Sequence, residues 1–334
     1  MRLLIITQVI DSNHPILGFF HRSVEEFSQH CEQVTVICLQ KGKCDLPDNV
    51  RVFSLGKEEG KGRLTYLWRF YKILWQHRHD YDQVFVHMNQ EYVLLAGLYW
   101  RLRGIKLGMW RNHYSGSFLT HIAAWLCNQV YFTSESSYTA RFSNSVRMPI
   151  GLDELLFKPK EAERASGSLL YVGRISRSKR IDMILAALKE AVGSANVSAL
   201  TIVGGPSSIE DESYLKELKE FAAANSLPVK FAGPTPWADL PEIYSAHELC
   251  INMSPPGMFD KVIGEAILCG CDIVTTNMDL KDLLGNRSIT VADTTTLTDF
   301  FKQFKYEAEA IEKLRNQVLE RHSLSALVKQ VLQI

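Results

Sequence analysis

The chain has 334 residues, 46% of them hydrophobic and 22% charged, a size and balance that suit two soluble domains of ~150 residues, each able to bury a core. Its 37 Lys and Arg offset 37 Asp and Glu, and the resulting zero net charge speaks against a nucleic acid as partner, because phosphate-backbone binding leaves a basic footprint. No apolar run approaches the ~20 residues of a spanning helix. The opening Met1-Arg2-Leu3-Leu4-Ile5-Ile6-Thr7, soon followed by Asp11 and Asn13, is too short for a signal peptide. Seven cysteines without a spaced framework read as reduced, mostly buried thiols of a cytoplasmic protein.

In the first half, short β-rich runs at Leu3–Thr7, Val34–Leu39, Val84–His87, Leu107–Trp110 and Val130–Ser134 alternate with helical stretches. After the first run, Ile16-Leu17-Gly18-Phe19-Phe20 offers Gly18 as a place of close backbone approach. The segment from Arg63 to Trp75 is basic and aromatic, as are Tyr99-Trp100-Arg101-Leu102-Arg103 and Lys106. Together they suit contact with an anionic membrane surface; the competing reading turns the apolar residues to the sheet and lets the Arg and Lys stems flank them. Asp80-Tyr81-Asp82 spells a metal-binding D-x-D, but its place before a strand among polar residues fits a solvated turn. With no further Asp/His cluster at ligand spacing, no catalytic metal is expected. His87 and Glu91 stand at and just beyond the end of one run, and His113 follows another.

Arg147–Asp153 and the polar 158–167 interrupt the pattern and read as a linker. It resumes at Leu169–Val172, Leu200–Val203, Val229–Ala232, Leu249–Met253, Ile273–Thr276 and Ile289–Val291. Near-continuous apolar strands separated by helices imply parallel sheets covered on both faces, so the chain is α/β with two doubly wound domains. Ligands of such sheets bind beyond the carboxyl ends of the strands. There, Gly173-Arg174-Ile175-Ser176-Arg177-Ser178-Lys179 sets two cations between a strand and a helix N-terminus, a site suited to a diphosphate. Glu265 leads the apolar Ala266-Ile267-Leu268 and reads as the start of a helix, where a carboxylate can accept from both hydroxyls of a ribose. No G-x-G-x-x-G follows the first strand, which weakens a dinucleotide oxidoreductase reading.

Arg174 and Lys179, the Val-Gly-Gly-Pro turn at 203–206, the Phe-Ala-Gly turn ending at Gly233, and the stretch from Ser254 through Gly257, Asp260 and Lys261 to Glu265 occur in one order. That set resembles the retaining nucleotide-sugar glycosyltransferases of the GT4-type (group 1) family, most strongly from Leu169 onward. The resemblance implies a GT-B fold, two Rossmann-like domains facing across a cleft. Its expected divisions are an acceptor-side domain at 1–150, a linker at 151–167, a donor domain at 168–315, and a terminal segment at 316–334 that crosses back to the first domain.

It also implies site roles. Arg174 and Lys179 would stabilise the donor diphosphate, with Gly18, Gly173 and Gly233 in close-approach loops. Glu265 would hold the ribose, His113 would face the transferred sugar, and His87 and Glu91 are acceptor-side candidates. The family's E-x7-E motif has its first Glu replaced by Gly257, and Asp260 and Lys261 stand where Gly and an apolar residue are common, so they are candidates to take over part of the sugar binding. The expected function is retaining transfer from a nucleotide-diphosphate sugar to a glycan or lipid-linked acceptor in cell-envelope or extracellular polysaccharide assembly. No cofactor beyond that donor substrate is expected. The expected place of work is the cytoplasm, peripheral on the inner face of the membrane. Two alternatives are a GT-B nucleotide-sugar epimerase and a non-catalytic partner-binding subunit, the latter favoured by Gly257.

Overall fold

A computed structural model describes residues 1–14, 17–194, 196–255, 260–278, 281–287 and 293–334, the side chain of residue 282 excepted. The chain divides into two compact units, Met1–Gly151 with Leu324–Ile334, and Leu152–Ser323.

The first unit runs β1 (Arg2–Ile10), α1 (Phe19–His30), β2 (Gln33–Lys41), β3 (Val50–Ser54), α2 (Arg63–Gln76), β4 (Gln83–His87), α3 (Gln90–Leu102), β5 (Lys106–Trp110), α4 (Phe118–Leu126), β6 (Gln129–Phe132) and β7 (Ser145–Arg147). The strands form one parallel sheet in the order β3-β2-β1-β4-β5-β6-β7. Period-two alternation sends Leu4 and Ile6 to one face, where Phe70 of α2, Trp100 of α3 and Ala123 of α4 cover them. Leu3 and Ile5 go to the other face, against Val24 and Phe27 of α1. The runs were readable because both faces are buried. The edge strand β3, half-exposed, and the three-residue β7 did not stand out in the sequence.

The second unit runs β8 (Ser168–Val172), α5 (Ile181–Ala191), β9 (Ala199–Val203), α6 (Ile209–Ala224), β10 (Val229–Gly233), α7 (Leu240–Ser245), β11 (Leu249–Asn252), α8 (Lys261–Leu268), β12 (Asp272–Thr275), α9 (Lys281–Leu284), α10 (Thr294–Gln303) and α11 (Ala308–His322). Its sheet is parallel, ordered β10-β9-β8-β11-β12. Leu169, Tyr171, Leu200, Ile202, Leu249 and Ile251 pack there against Ile184 and Leu188 of α5, Tyr214 of α6 and Phe301 of α10. The expected strand at Ile289–Val291 overlaps positions outside the described residues.

The divisions differ from expectation at two places. Residues 152–167 belong to the second unit rather than to a free linker, and the reason is burial: Leu152 and Phe157 are each 1% exposed. Of the terminal segment, only α12 (Leu324–Leu332) and the two residues after it belong to the first unit, while α11 stays with the second. Leu324, Leu327, Val328, Val331 and Leu332 lie one helical face apart and join the Phe20–Val24–Phe27 core. At about 1.5–3 kcal/mol for each fully buried aliphatic side chain, that docking is a large share of the first unit's stability. Gln83 adds a side-chain hydrogen bond to the Val331 carbonyl at 3.1 Å.

Candidate functional site

Each sheet reverses its strand order once, and the loops leaving the two strands at that point form the crevice where such sheets take ligands. The pairs are β8 and β11 in the second unit, and β1 and β4 in the first.

In the second unit, three glycine turns lie side by side beyond β8, β9 and β10. Gly173, Gly204 and Gly233 have φ of 153°, 133° and 81°, conformations that side chains resist. The Gly173 N–H donates to the Val203 carbonyl at 3.0 Å, and the Gly204 N–H to the Gly233 carbonyl at 2.9 Å. A Cβ on Gly204 would stand 1.8 Å from the Gly173 carbonyl oxygen, so the approach of these backbones requires a residue without one. Arg174 follows directly. Its carbonyl accepts from the buried Tyr171 hydroxyl at 2.7 Å, which fixes the backbone, while its side chain stays exposed.

Lys179 departs from the picture of an open point charge. It is 8% exposed and its Nζ donates to Asp260 Oδ2 at 2.6 Å and to Ser254 Oγ at 2.9 Å. The same Asp260 oxygen accepts from Asn252 Nδ2 at 3.0 Å and from the Ser254 hydroxyl. One carboxylate oxygen thus gathers donors from the loop after β8 and from the end of β11, across the switch point. Burial pushes the Asp260 carboxyl up, but Lys179 with the Asn252 and Ser254 hydrogen bonds outweighs it and holds the group below the usual carboxylate range. The pair is locally neutral, and removing either partner would leave an uncompensated buried charge.

Glu265 is 4% exposed and sits in the second turn of α8, which begins at Lys261, so it does not open the helix. Trp237 Nε1 donates to its Oε1 at 3.1 Å and the Tyr244 hydroxyl to its Oε2 at 3.3 Å. Phe157 closes the wall, its ring 5.2 Å from that of Trp237. Desolvation raises the Glu265 carboxyl above its ordinary range, against the Trp237 hydrogen bond and the Lys261 charge. A carboxylate has about four lone-pair sites, so two aromatic donors leave capacity for two hydroxyls. Lys261, half-buried one turn earlier, is pulled down by burial to about 8, while Glu265 and Asp153 act the other way. Gly257 lies outside the described residues. Trp237, Tyr244 and Phe157 escaped sequence reading, since their convergence on Glu265 comes from three separate segments.

In the first unit, Gly18 precedes α1 with its N–H bonded to the His14 carbonyl at 2.9 Å. A Cβ there would lie 2.7 Å from that same oxygen. His87, at the end of β4, is 7% exposed, stacked on Phe20 at 4.0 Å with 9° between the planes, and its Nδ1 lies 3.2 Å from Thr7 Oγ1. Thr7 belongs to β1, so this contact also spans a switch point. Glu91 is exposed in the first turn of α3. His113 is half-buried on the loop after β5; its Nδ1 accepts from the Ser115 N–H at 3.1 Å and its ring stacks on Tyr114 at 4.4 Å.

Asp80-Tyr81-Asp82 lies at the turn before β4, with Asp82 exposed and Asp80 partly so, but the tyrosine between them points inward. Tyr81 is 3% exposed and accepts from Trp100 Nε1 at 3.1 Å, while Asp80 pairs with His77 at 2.8 Å and Asp82 with Arg2 at 2.6 Å. The ring between the two acids is core.

Residues 166–306 match the family model Glycosyl transferases group 1. No curated protein matches the chain. Among solved structures, HepE from Anabaena in complex with UDP and glucose is similar at 19% identity, covering 100% of this chain and 98% of that one, with a TM-score of 0.76. Its complex with UDP-glucose is 18% identical over 100% and 99%, TM-score 0.76. Sucrose-phosphate synthase from Thermosynechococcus elongatus is 18% identical over 100% and 98%, TM-score 0.73. The fold is GT-B, and residues 166–306 are a glycosyltransferase domain.

Proposed function

We propose that this chain, with a group 1 glycosyltransferase domain on a GT-B fold, transfers a sugar with retention from a nucleotide-diphosphate donor to a glycan or lipid-linked acceptor. The observation that carries the reading is the second unit's switch point. There an exposed Arg174 on an interlocked glycine turn and a buried Lys179 stand on the segment leaving β8, and a desolvated Glu265 on the helix that follows the adjacent β11.

Breaking the bond between the anomeric carbon and the diphosphate builds negative charge on the leaving oxygens. In the proposed roles Arg174 offers a planar guanidinium to those oxygens and Lys179 a positioned ammonium. Their fixed charge is what makes a metal unnecessary to the reading. Glu265 accepts from the ribose hydroxyls while Trp237 and Tyr244 hold its carboxylate. Asp260 orients Lys179, and with Lys261 supplies polar groups for the sugar, in a sequence that has Gly257 in place of the motif's first acid. His113 orients the transferred sugar, and Gly18, Gly173 and Gly233 allow backbone approach. Attack comes from the same face as the departing phosphate, which helps take the acceptor's proton. The proposed setting is cell-envelope or extracellular polysaccharide assembly, with the protein in the cytoplasm.

UDP and UDP-glucose in the HepE complexes favour a uridine donor as the first to try. The test is a screen of UDP-, GDP-, ADP- and dTDP-sugars by thermal shift and nucleotide release, with Arg174→Ala alongside. One donor stabilising the protein, with release lost in Arg174→Ala, is the expected result. A folded protein that takes none of them would favour a non-catalytic partner-binding role, which the neutralisation of Lys179 by Asp260 also suits.

A further inference from the structure

On the face of the first sheet that carries α2, α3 and α4, the helices are apolar on two sides. Inward, α2 buries Phe70, Ile73 and Leu74. Outward, Leu64, Trp68, Tyr71 and Trp75 follow one another at steps of four, three and four, a helical stripe, and they are 84%, 61%, 44% and 66% exposed. The competing reading, in which the apolar residues of this segment turn to the sheet, therefore holds for only one of its faces. The stripe continues onto neighbouring helices, since the Tyr71 hydroxyl donates to the Leu95 carbonyl of α3 at 3.0 Å and Arg101 of α3 to the Trp125 carbonyl of α4 at 2.7 Å. Trp125 is 63% exposed.

Single exposed apolar residues need no explanation. Here three of the chain's six tryptophans are more than half exposed, and all three share this face. Each has a cation at its ring: Lys72 Nζ lies 4.9 Å from the centroid of Trp68, Arg78 Cζ 4.5 Å from that of Trp75, and Arg101 Cζ 4.9 Å from that of Trp125. Two stretches here carry only positive charge: residues 63–79 hold four Lys or Arg (63, 69, 72, 78), of which Arg69 pairs with Glu59 at 2.7 Å, and residues 92–106 hold three (101, 103, 106), while the acids Glu58, Glu59, Asp80, Asp82 and Glu91 lie just outside these stretches.

We infer that this face is a docking surface for an anionic lipid bilayer. Trp and Tyr rings have an apolar body and a polar edge and settle at the depth of the headgroups. The cations beside them meet lipid phosphates while their methylene stems stay with the rings. The face is offered by the sides of helices, and it would lie in the interfacial plane without entering the hydrocarbon. The inference rests on the first unit alone and is independent of the catalytic roles assigned above.

Flotation with vesicles tests it, comparing phosphatidylcholine alone with phosphatidylcholine containing phosphatidylglycerol. The full chain should float with the anionic vesicles, and less so as salt rises from ~0.1 M to ~1 M and the Debye length falls from ~10 to ~3 Å. Trp68→Ala, Trp75→Ala and Trp125→Ala combined should abolish flotation. Lys72→Glu alone should weaken it at least about fivefold, the effect of ~1 kcal/mol for each basic residue near an anionic surface. These side chains are exposed, so melting temperature should not change, and retained donor stabilisation would report an intact second unit. Failure to float with anionic vesicles, equal flotation with neutral ones, or a triple variant that floats like the parent would each overturn the inference; in those cases the face belongs to a protein partner.

Discussion

The two switch points are built alike in backbone and unlike in chemistry. In the second unit, side chains from different loops converge on one another: Lys179 with Ser254, Asn252 and Asp260, and Glu265 with Trp237 and Tyr244. In the first unit no carboxylate gathers such donors: His113 is held by its near neighbour Ser115, and His87 reaches across the switch point to Thr7 and stacks on Phe20. The matching family model lies within one of these regions, at 166–306. Under the proposed roles the second unit holds a diphosphate and a ribose, whose fixed shape and charge require groups at fixed spacing. An acceptor side answers to whichever hydroxyl it serves, and its residue pattern carries less that recurs.

The largest expected effect comes from the cations. Under the proposed roles Arg174→Ala and Lys179→Ala should each lower turnover by about 10²–10³, but they should part in stability. Arg174 is exposed, and its loss should change stability by less than ~0.5 kcal/mol. Losing Lys179 strands Asp260 and should cost ~3–5 kcal/mol, read by denaturant unfolding. Equal stability of the two variants would break the contrast between a held cation and an open one.

Next in size is Glu265→Gln. Burial raises this carboxyl in the folded protein, so the group's contribution to stability is present at low pH and is lost as pH rises through the folded value; at neutral pH its charge is a liability. Gln keeps an acceptor for Trp237, and the Tyr244 hydroxyl can turn to accept. The variant should therefore melt higher, by ~2–4 °C for each kcal/mol relieved, while donor affinity falls about tenfold or more with the loss of charge-assisted hydrogen bonds. A melting point that falls would sink the reading of Glu265 as a strained functional acid.

Within the first unit, His113→Ala should lower turnover with little change in donor affinity, and His87→Phe should alter neither strongly because it preserves the stack on Phe20. The smallest effect concerns pH. Lys261 is cationic below about 8 and neutral above it, so nucleotide affinity should weaken several-fold as pH rises through that value. Lys261→Met should flatten the profile, measured by titration calorimetry.

Much of the fold was legible because doubly buried strands write themselves as apolar runs; Leu3–Thr7 and Leu169–Val172 are examples. What escaped was set by tertiary contact. Nothing in the neighbourhood of Lys179 announces Asp260, 81 residues later, and Trp237 looks like any loop aromatic until α8 brings Glu265 beneath it. The start of α8 was misjudged for a related reason. Lys261-Val262-Ile263-Gly264 contains a β-branched pair and a glycine, poor helix formers that packing overrides; a Cβ on Gly264 would fall 2.4 Å from the buried Leu152 Cδ1, so any larger residue there displaces that side chain. The outward stripe of α2 was visible as composition but not as direction, because one helix carries apolar residues for two different surroundings.

The placement of α12 sets an order of events during synthesis. The first unit's core is finished by residues 324–334, which follow the whole second unit in the chain. At roughly 5–20 residues per second, the ribosome needs on the order of ten seconds or more to make what lies between. For that interval α1 packs on the sheet through Val24 and Phe27 but lacks the cover that Leu324, Leu327, Val328, Val331 and Leu332 give that core. The unit made first is thus the unit completed last, and a nascent chain stalled or cut before Leu324 presents a sticky, unfinished sheet to chaperones and proteases.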